Sequence, residues 1–236
     1  MKILVTGGAS GLGAEIVNLL STDIRNFVFF TYNHSTGGAK AITDERKNTE
    51  AIKCDFTDVE SVERLLVQIE SSDIDVLVNN AYSSFEKDHF HKIPSDAFLK
   101  GFQNNVIPTL RITQTCISGF RKKKFGKIIN IISSSVIGNP PIGWSEYVAN
   151  KSYLLSMSKS WSTENIKFNI TSNCISPSFM ITHMTSDTDE RIVEQIKNEH
   201  PLKELLTPKS VAETVAFFLG SSQHINGTNI VINAGL

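Results

Sequence analysis

Short apolar runs alternate with amphipathic stretches along the whole chain. Ile3-Leu4-Val5, Phe27-Val28-Phe29-Phe30, Ala51-Ile52-Lys53-Cys54, Ile74 to Val78, Lys127 to Ile132, Phe168 to Ile175 and Asn229 to Ile232 are brief and mostly β-branched or aromatic. Near-continuous apolar runs of this length suit strands buried on both faces, as in a parallel sheet. The segments between them carry helical spacing. Thr57-Asp58-Val59-Glu60 reads as a capping box, followed by Val62, Leu65, Leu66 and Ile69 on one face. Ser210-Val211-Ala212-Glu213 reads as a second box leading into Val215 to Leu219. Two further helices are expected over Ser95 to Phe120 and Ser145 to Trp161. Strand–helix alternation with short connections predicts a single-domain, doubly wound α/β fold, with a seven-stranded parallel sheet and helices on both faces. The longest stretch without a strand signal, 177–206, is expected to be a substrate lid with a short helix around Asp189 to Asn198.

Composition narrows the setting. With 236 residues and 40% hydrophobic content the chain supports one well-buried domain. A net charge of −1 gives no reason to expect a nucleic-acid or acidic-membrane partner. The basic cluster from Arg121 to Lys124 reads as a solvated helix end. Cys54, Cys116 and Cys174 are odd in number and far apart, which predicts buried free thiols. No apolar stretch approaches the ~20 residues of a bilayer span, and the first six residues are too short for a signal peptide. The expected setting is cytoplasmic.

The first strand runs directly into Thr6-Gly7-Gly8-Ala9-Ser10-Gly11-Leu12-Gly13, and a helix follows. In that context each glycine has a task. Gly7 permits the tight turn, Gly11 lets the backbone approach a pyrophosphate, and Gly13 lets the helix pack on the strand. The helix N-terminus supplies amide donors and partial positive charge for the phosphates. The tip of the second strand, Thr31-Tyr32-Asn33-His34-Ser35, lacks the acidic residue that grips the ribose hydroxyls of NAD. His34, Ser35 and Lys40 are candidates to bind a 2′-phosphate instead, so NADP(H) is favoured over NAD(H).

Tyr147 and Lys151, four residues apart on one helix, project together. A free phenol has a pKa near ~10. An ammonium about 4 Å away, at an effective dielectric of ~20, stabilises the phenolate by ~4 kcal/mol, nearly 3 pKa units before desolvation is subtracted. That predicts a tyrosine poised near working pH as an acid–base catalyst. Upstream, the fifth strand ends in Ser133-Ser134-Ser135, where a hydroxyl is placed to bind a substrate carbonyl.

In this order the motifs resemble those of the classical short-chain dehydrogenase/reductase family, over essentially the whole chain. The turn from Thr6 to Gly13, including Ala9, Ser10 and Leu12, is similar to the family's cofactor turn. Cys54-Asp55-Phe56-Thr57-Asp58 resembles its adenine-contacting segment, implying cofactor contacts at Asp55 and Phe56. Asn79-Asn80-Ala81 resembles the Asn-Asn-Ala-Gly motif, implying contacts at Asn80 and Ala81. The resemblance further implies a catalytic tetrad of Asn105, a serine, Tyr147 and Lys151. In it Asn105 holds a relay water, Lys151 also binds the nicotinamide ribose, and Met180 and Thr182 meet the cofactor amide. Counting from Gly126 favours Ser133, and counting back from Tyr147 favours Ser134; Ser133 is preferred because strand geometry is stiffer than loop length. A Rossmann-type fold and a homodimer or homotetramer paired through the helices over 95–120 and 145–161 are implied as well.

Three departures stand out. Tyr82 replaces the glycine of Asn-Asn-Ala-Gly, where it crowds the nicotinamide or shapes the substrate pocket. Ser178 replaces a glycine after Pro177, and Asn233-Ala234-Gly235 replaces Asp-Gly-Gly. The expected activity is hydride transfer between NADP(H) and a ketone, 3-oxoacyl thioester or secondary alcohol. A sugar-nucleotide epimerase or dehydratase would need a longer chain. A non-catalytic dinucleotide sensor or partner subunit is the alternative. Phe85, Phe90, Ile142, Trp144, Phe179 and Met184 are candidate pocket residues.

Overall fold

The computed structural model describes residues 1–182, 185–186 and 188–236. Strands β1 (Lys2–Val5), β2 (Phe27–Tyr32), β3 (Thr49–Lys53), β4 (Val76–Asn79), β5 (Gly126–Ile131), β6 (Ile170–Pro177) and β7 (Asn229–Ile232) form one sheet in the order β3-β2-β1-β4-β5-β6-β7. Every pairing is parallel. The winding reverses between β1 and β4, which opens a crevice at the carboxyl ends of those strands. The doubly wound architecture expected from the apolar pattern is therefore present.

The pattern has a direct packing reason. Side chains alternate across a strand, so an unbroken apolar run feeds two cores. Ile3 and Val5 of β1 face a core shared with α1 (Gly11–Leu20), α2 (Thr36–Glu45) and α8 (Pro208–Gly220), whereas Leu4 faces the other. That second core is covered by α3 (Val59–Ser72), α5 (Ile107–Lys123) and α6 (Ser145–Asn165). Burial of β5 and β6 is complete along their length. Cys54, Cys116 and Cys174 are free and buried. Among the described residues no helix is long and apolar enough to cross a membrane.

Local chemistry corrects several boundaries. Helix α3 is capped by Asp58, which accepts from the Glu60 amide at 3.0 Å, and not by Thr57. The Thr57 hydroxyl is committed to Asp55 Oδ1 at 2.8 Å and is unavailable as a cap. Helix α8 is capped three residues before the expected cap Ser210: Thr207 caps it, and Pro208, with φ preset for a first helical turn, follows. The sixth strand begins at Ile170, because a 3₁₀ turn over Ile166–Phe168 ends at Asn169 with φ of +60°. The expected helix over 95–120 is interrupted. Helix α4 (Ser95–Gly101) passes through a π turn, Phe102–Val106, into α5. Such a turn inserts one residue and commonly marks a functional position; here it carries Asn105. In the 177–206 stretch the expected short helix is present as α7 (Glu190–Glu199), and Asp189 caps it by accepting from the Arg191 amide.

Candidate active site

The first half of the site is a cradle at the end of β1. Gly7 has φ of +68°, and Gly11 has φ of +51°, so both occupy backbone conformations that side chains disfavour. A Cβ on Gly13 would stand 1.9 Å from the Gly7 carbonyl oxygen, so only glycine allows α1 to start this close to the turn. Ser10 occupies the N-cap but makes no side-chain cap bond. The first amides of α1 are thus free of a protein cap beside the exposed Ser10 and Gly11, with Ala9 and Leu12 buried beneath. Uncapped amides at a helix N-terminus suit an anion, and the geometry fits a pyrophosphate.

The turn is held from beneath. Thr6 Oγ1 accepts from the Asn80 and Ala81 amides at 3.0 Å each, and Gly7 N donates to Thr31 Oγ1 at 2.9 Å. The Asn80 side-chain amide donates to the carbonyls of Thr6 and Gly7 at 2.9 and 3.1 Å. Asn80 is therefore a latch on the cradle, with its NH₂ committed to protein. Ala81 packs so closely on Gly7 that a Cβ there would lie 3.0 Å from the Ala81 Cα.

At the tip of β2, the Thr57 amide and hydroxyl bond the Asp55 carboxylate at 2.9 and 2.8 Å, and the amide does most to hold its pKa below the usual value. His34 is exposed, and Ser35 at the start of α2 makes no cap bond, so that helix end is also open, with Lys40 exposed on its first turns. Phe56 is half-buried beside Asp55. Gly38 brings α2 against the cradle: a Cβ there would meet the Ala9 carbonyl at 2.2 Å. Beyond β6, Met180 is buried in the core, and Thr182 N donates to Thr185 Oγ1, which in turn donates to the Met180 carbonyl. Nearby, Ser178 Oγ is buried without a partner among the described residues, an orphaned donor that fits a bound polar group.

The second half of the site lies at the ends of β5 and α6. Tyr147 is 5% exposed, and the Ser133 side chain lies beside it and favours its ionised form. Ser133 lies two residues beyond β5 and caps the short 3₁₀ turn Ser134–Val136 through the Ser135 amide; it is Ser133, not Ser134, that stands beside Tyr147. Lys151 is 4% exposed and donates to the Ile131 carbonyl at 2.7 Å.

The expected depressed phenol is not what the folded chain shows. Burial pushes the Tyr147 pKa up to about 12, against the opposing Ser133 hydrogen bond, and pushes Lys151 down to about 8. Desolvation wins because both charged forms lose water, while Nζ of Lys151 lies 5.8 Å from the Tyr147 ring centroid and 4.9 Å from that of Tyr82.

Asn105 is buried, and its side chain is otherwise engaged than the water relay expected of it. Ser83 presents two donors to Oδ1, its amide at 2.6 Å and its hydroxyl at 2.9 Å, while Asn105 Nδ2 donates to the Gly101 carbonyl. It anchors the loop after β4.

Three half-buried aromatic rings cover Tyr147. Tyr82, Phe85 and Trp144 lie at 5.0, 5.0 and 5.2 Å between centroids. Of the other expected pocket residues, Phe90 and Ile142 are exposed, Phe179 is half-buried, and Met184 lies outside the described residues. Sequence reasoning missed Thr6, Thr31, Gly38, Glu146 and Asn150. The glycine pair Gly37-Gly38 at a helix start was a signal for close approach; buried Glu146 and Asn150 gave none, since both read as helix-surface residues.

The family model described as enoyl-(acyl carrier protein) reductase matches residues 7–236. The 3-oxoacyl-[acyl-carrier-protein] reductase FabG of Haemophilus influenzae is 34% identical over 244 residues, covering 99% of this chain and 96% of the relative. The 3-oxoacyl-[acyl-carrier-protein] reductase MabA of Mycobacterium bovis is 30% identical over 239 residues, covering 100% and 92%. In fold, an actinorhodin polyketide ketoreductase crystallised with NADPH superimposes with a TM-score of 0.89 at 24% identity, covering 100% of this chain and 96% of that one.

Proposed function

The chain belongs to the short-chain dehydrogenase/reductase family, and from that membership we propose that it is an NADP(H)-dependent reductase of ketones or 3-oxoacyl thioesters. The observation that carries the reading is the placing of buried Tyr147 beside Ser133 beyond the carboxyl end of β5, with Lys151 buried one helical turn away. The cradle from Gly7 to Gly13 would hold the pyrophosphate, Asp55 and Phe56 the adenosine, and Ala81, Met180, Thr182 and Lys151 the nicotinamide end. The open start of α2, with His34, Ser35 and Lys40 and no acidic residue in 31–40, favours the extra phosphate of NADP(H). That two relatives are named as 3-oxoacyl reductases, and that the structural neighbour was crystallised with NADPH, agrees with both parts of the reading. The 177–206 stretch is assigned to a lid. Exposed Leu99, Ile107 and Tyr153 on α4, α5 and α6 support pairing of copies through those helices.

In reduction a carbonyl carbon gains a hydride and its oxygen gains a proton; nicotinamide supplies the first when bound, and this chain supplies the second. Ser133 and Tyr147 hydrogen-bond the carbonyl oxygen. Tyr147, protonated at neutral pH because burial raises its pKa to about 12, is a donor ready for use. As its proton leaves, the Lys151 ammonium offsets the phenolate charge. Asn105 steadies Ser83 and the wall beside the phenol.

Purified protein is expected to oxidise NADPH with a panel of ketones and 3-oxoacyl thioesters, and to do so at least about tenfold more efficiently than NADH, the gain of one charge-assisted phosphate contact. Tight NADPH binding without oxidation by any member would favour the sensor instead.

A pH dependence follows from Lys151. Its pKa is lowered to about 8, so the ammonium is present below that value and lost above it. The reductive kcat/KM, which reports the free enzyme, is expected to be level from pH 6 to 7 and to fall by about tenfold per unit above about 8. A profile level to pH 10 would remove the ammonium from the mechanism.

A further inference from the structure

Tyr82 is tied into a chain of buried polar contacts. Its hydroxyl accepts from Asn150 Nδ2 at 3.1 Å. Asn150 also donates to Glu146 Oε1 at 3.4 Å, and Oε2 of that carboxylate accepts from the Glu86 amide at 3.2 Å. Glu146 is 2% exposed. It reaches this position because Gly101 leaves room: a Cβ there would stand 1.8 Å from Oε1. Burying a carboxylate is costly unless its hydrogen bonds are made, and these bonds hold a strut that aims one ring. That ring packs edge-on against Tyr147 and lies under the Lys151 ammonium. Phe85 adds a ring inclined 31° to Tyr147, and Trp144 one at 85°; each is half-buried. A substrate oxygen bonded to Tyr147 would lie beside these rings.

Resting on the ketoreductase reading, we propose that Tyr82, held by Asn150 and Glu146, sets the substrate range of this site, favouring ketones carried on a rigid planar ring over flexible acyl thioesters. A planar ring replaces ring–ring contacts around Tyr147 with contacts of the same kind. It also arrives with few rotors to immobilise. An acyl chain gains area only and must be ordered bond by bond.

The test is the ratio of kcat/KM for 2-indanone to that for the acetoacetyl thioester of N-acetylcysteamine, measured by NADPH oxidation. Wild type is expected to favour the ring ketone by about tenfold or more. Tyr82→Ala is expected to reduce the ratio about tenfold, whereas Tyr82→Phe, which keeps the ring but loses the Asn150 bond that aims it, reduces it by less. Tyr82→Leu, which keeps bulk without a π face, decides the matter should Tyr82→Ala fail to fold by near-UV circular dichroism: a fall in ratio supports the proposal, and no change overturns it. A wild-type preference for the thioester, or a ratio unmoved by Tyr82→Ala, overturns it while leaving the reductase intact. Absence of NADPH oxidation with both substrates overturns the reductase reading and this proposal together.

Discussion

Tyr147→Phe is expected to lower turnover by about 10²–10⁴-fold, the usual contribution of one positioned acid–base group. The substitution removes the hydroxyl beside Ser133 and leaves the ring where Tyr82, Phe85 and Trp144 pack on it. Packing is retained, so the melting temperature should change little. NADPH binding should stay within a few-fold, because the cradle from Gly7 to Gly13 is on another part of the sheet. Steady-state rates and a fluorescence titration with NADPH separate the two effects. Undiminished turnover would remove Tyr147 from the chemistry. An equal collapse of binding and rate would show that the substitution acts through structure.

Gly13→Ala should strike the other half of the site. The new Cβ would meet the Gly7 carbonyl at 1.9 Å and Asn80 Nδ2 at 2.7 Å. The first of these is backbone, so no side-chain rotation relieves it, and α1 or the turn must shift. Overpacking of this sort costs about 1–3 kcal/mol. If the shift falls on the cradle, NADPH affinity drops by about 10–100-fold, since each 1.4 kcal/mol is tenfold. The latch from Asn80 to Thr6 and Gly7 should loosen as well, lowering the melting temperature. Rate at saturating NADPH should suffer less than the KM for NADPH. An unchanged dissociation constant would show that the close approach of α1 to the turn is not needed to hold the cofactor.

The contrast between those two residues shows what a linear chain can reveal. Gly13 was legible because its role is local: strand, turn and helix are contiguous, and only glycine permits the approach. Tyr147 and Lys151 were legible as a pair because helical spacing places them on one face. Their acidity was misjudged, because charge separation can be guessed from spacing while desolvation cannot. Burial of both groups comes from Ile131, Ser133, Tyr82, Phe85 and Trp144, which arrive from three different segments.

By itself the sequence determined the layers, the strands, the cofactor turn and the Tyr147–Lys151 face, since apolar periodicity and glycine spacing act over a few residues. Cap positions slipped at Thr57 and Ser210 because Asp55 and Pro208 compete for the same local geometry. Only the tertiary structure decided that Asn80 latches the cradle, that Asn105 anchors Ser83, and that Glu146, Asn150 and Tyr82 form one buried strut. Those roles join residues tens of positions apart. Their energies depend on which water each group loses and which partner replaces it, and that is settled only when the β-sheet brings the loops together.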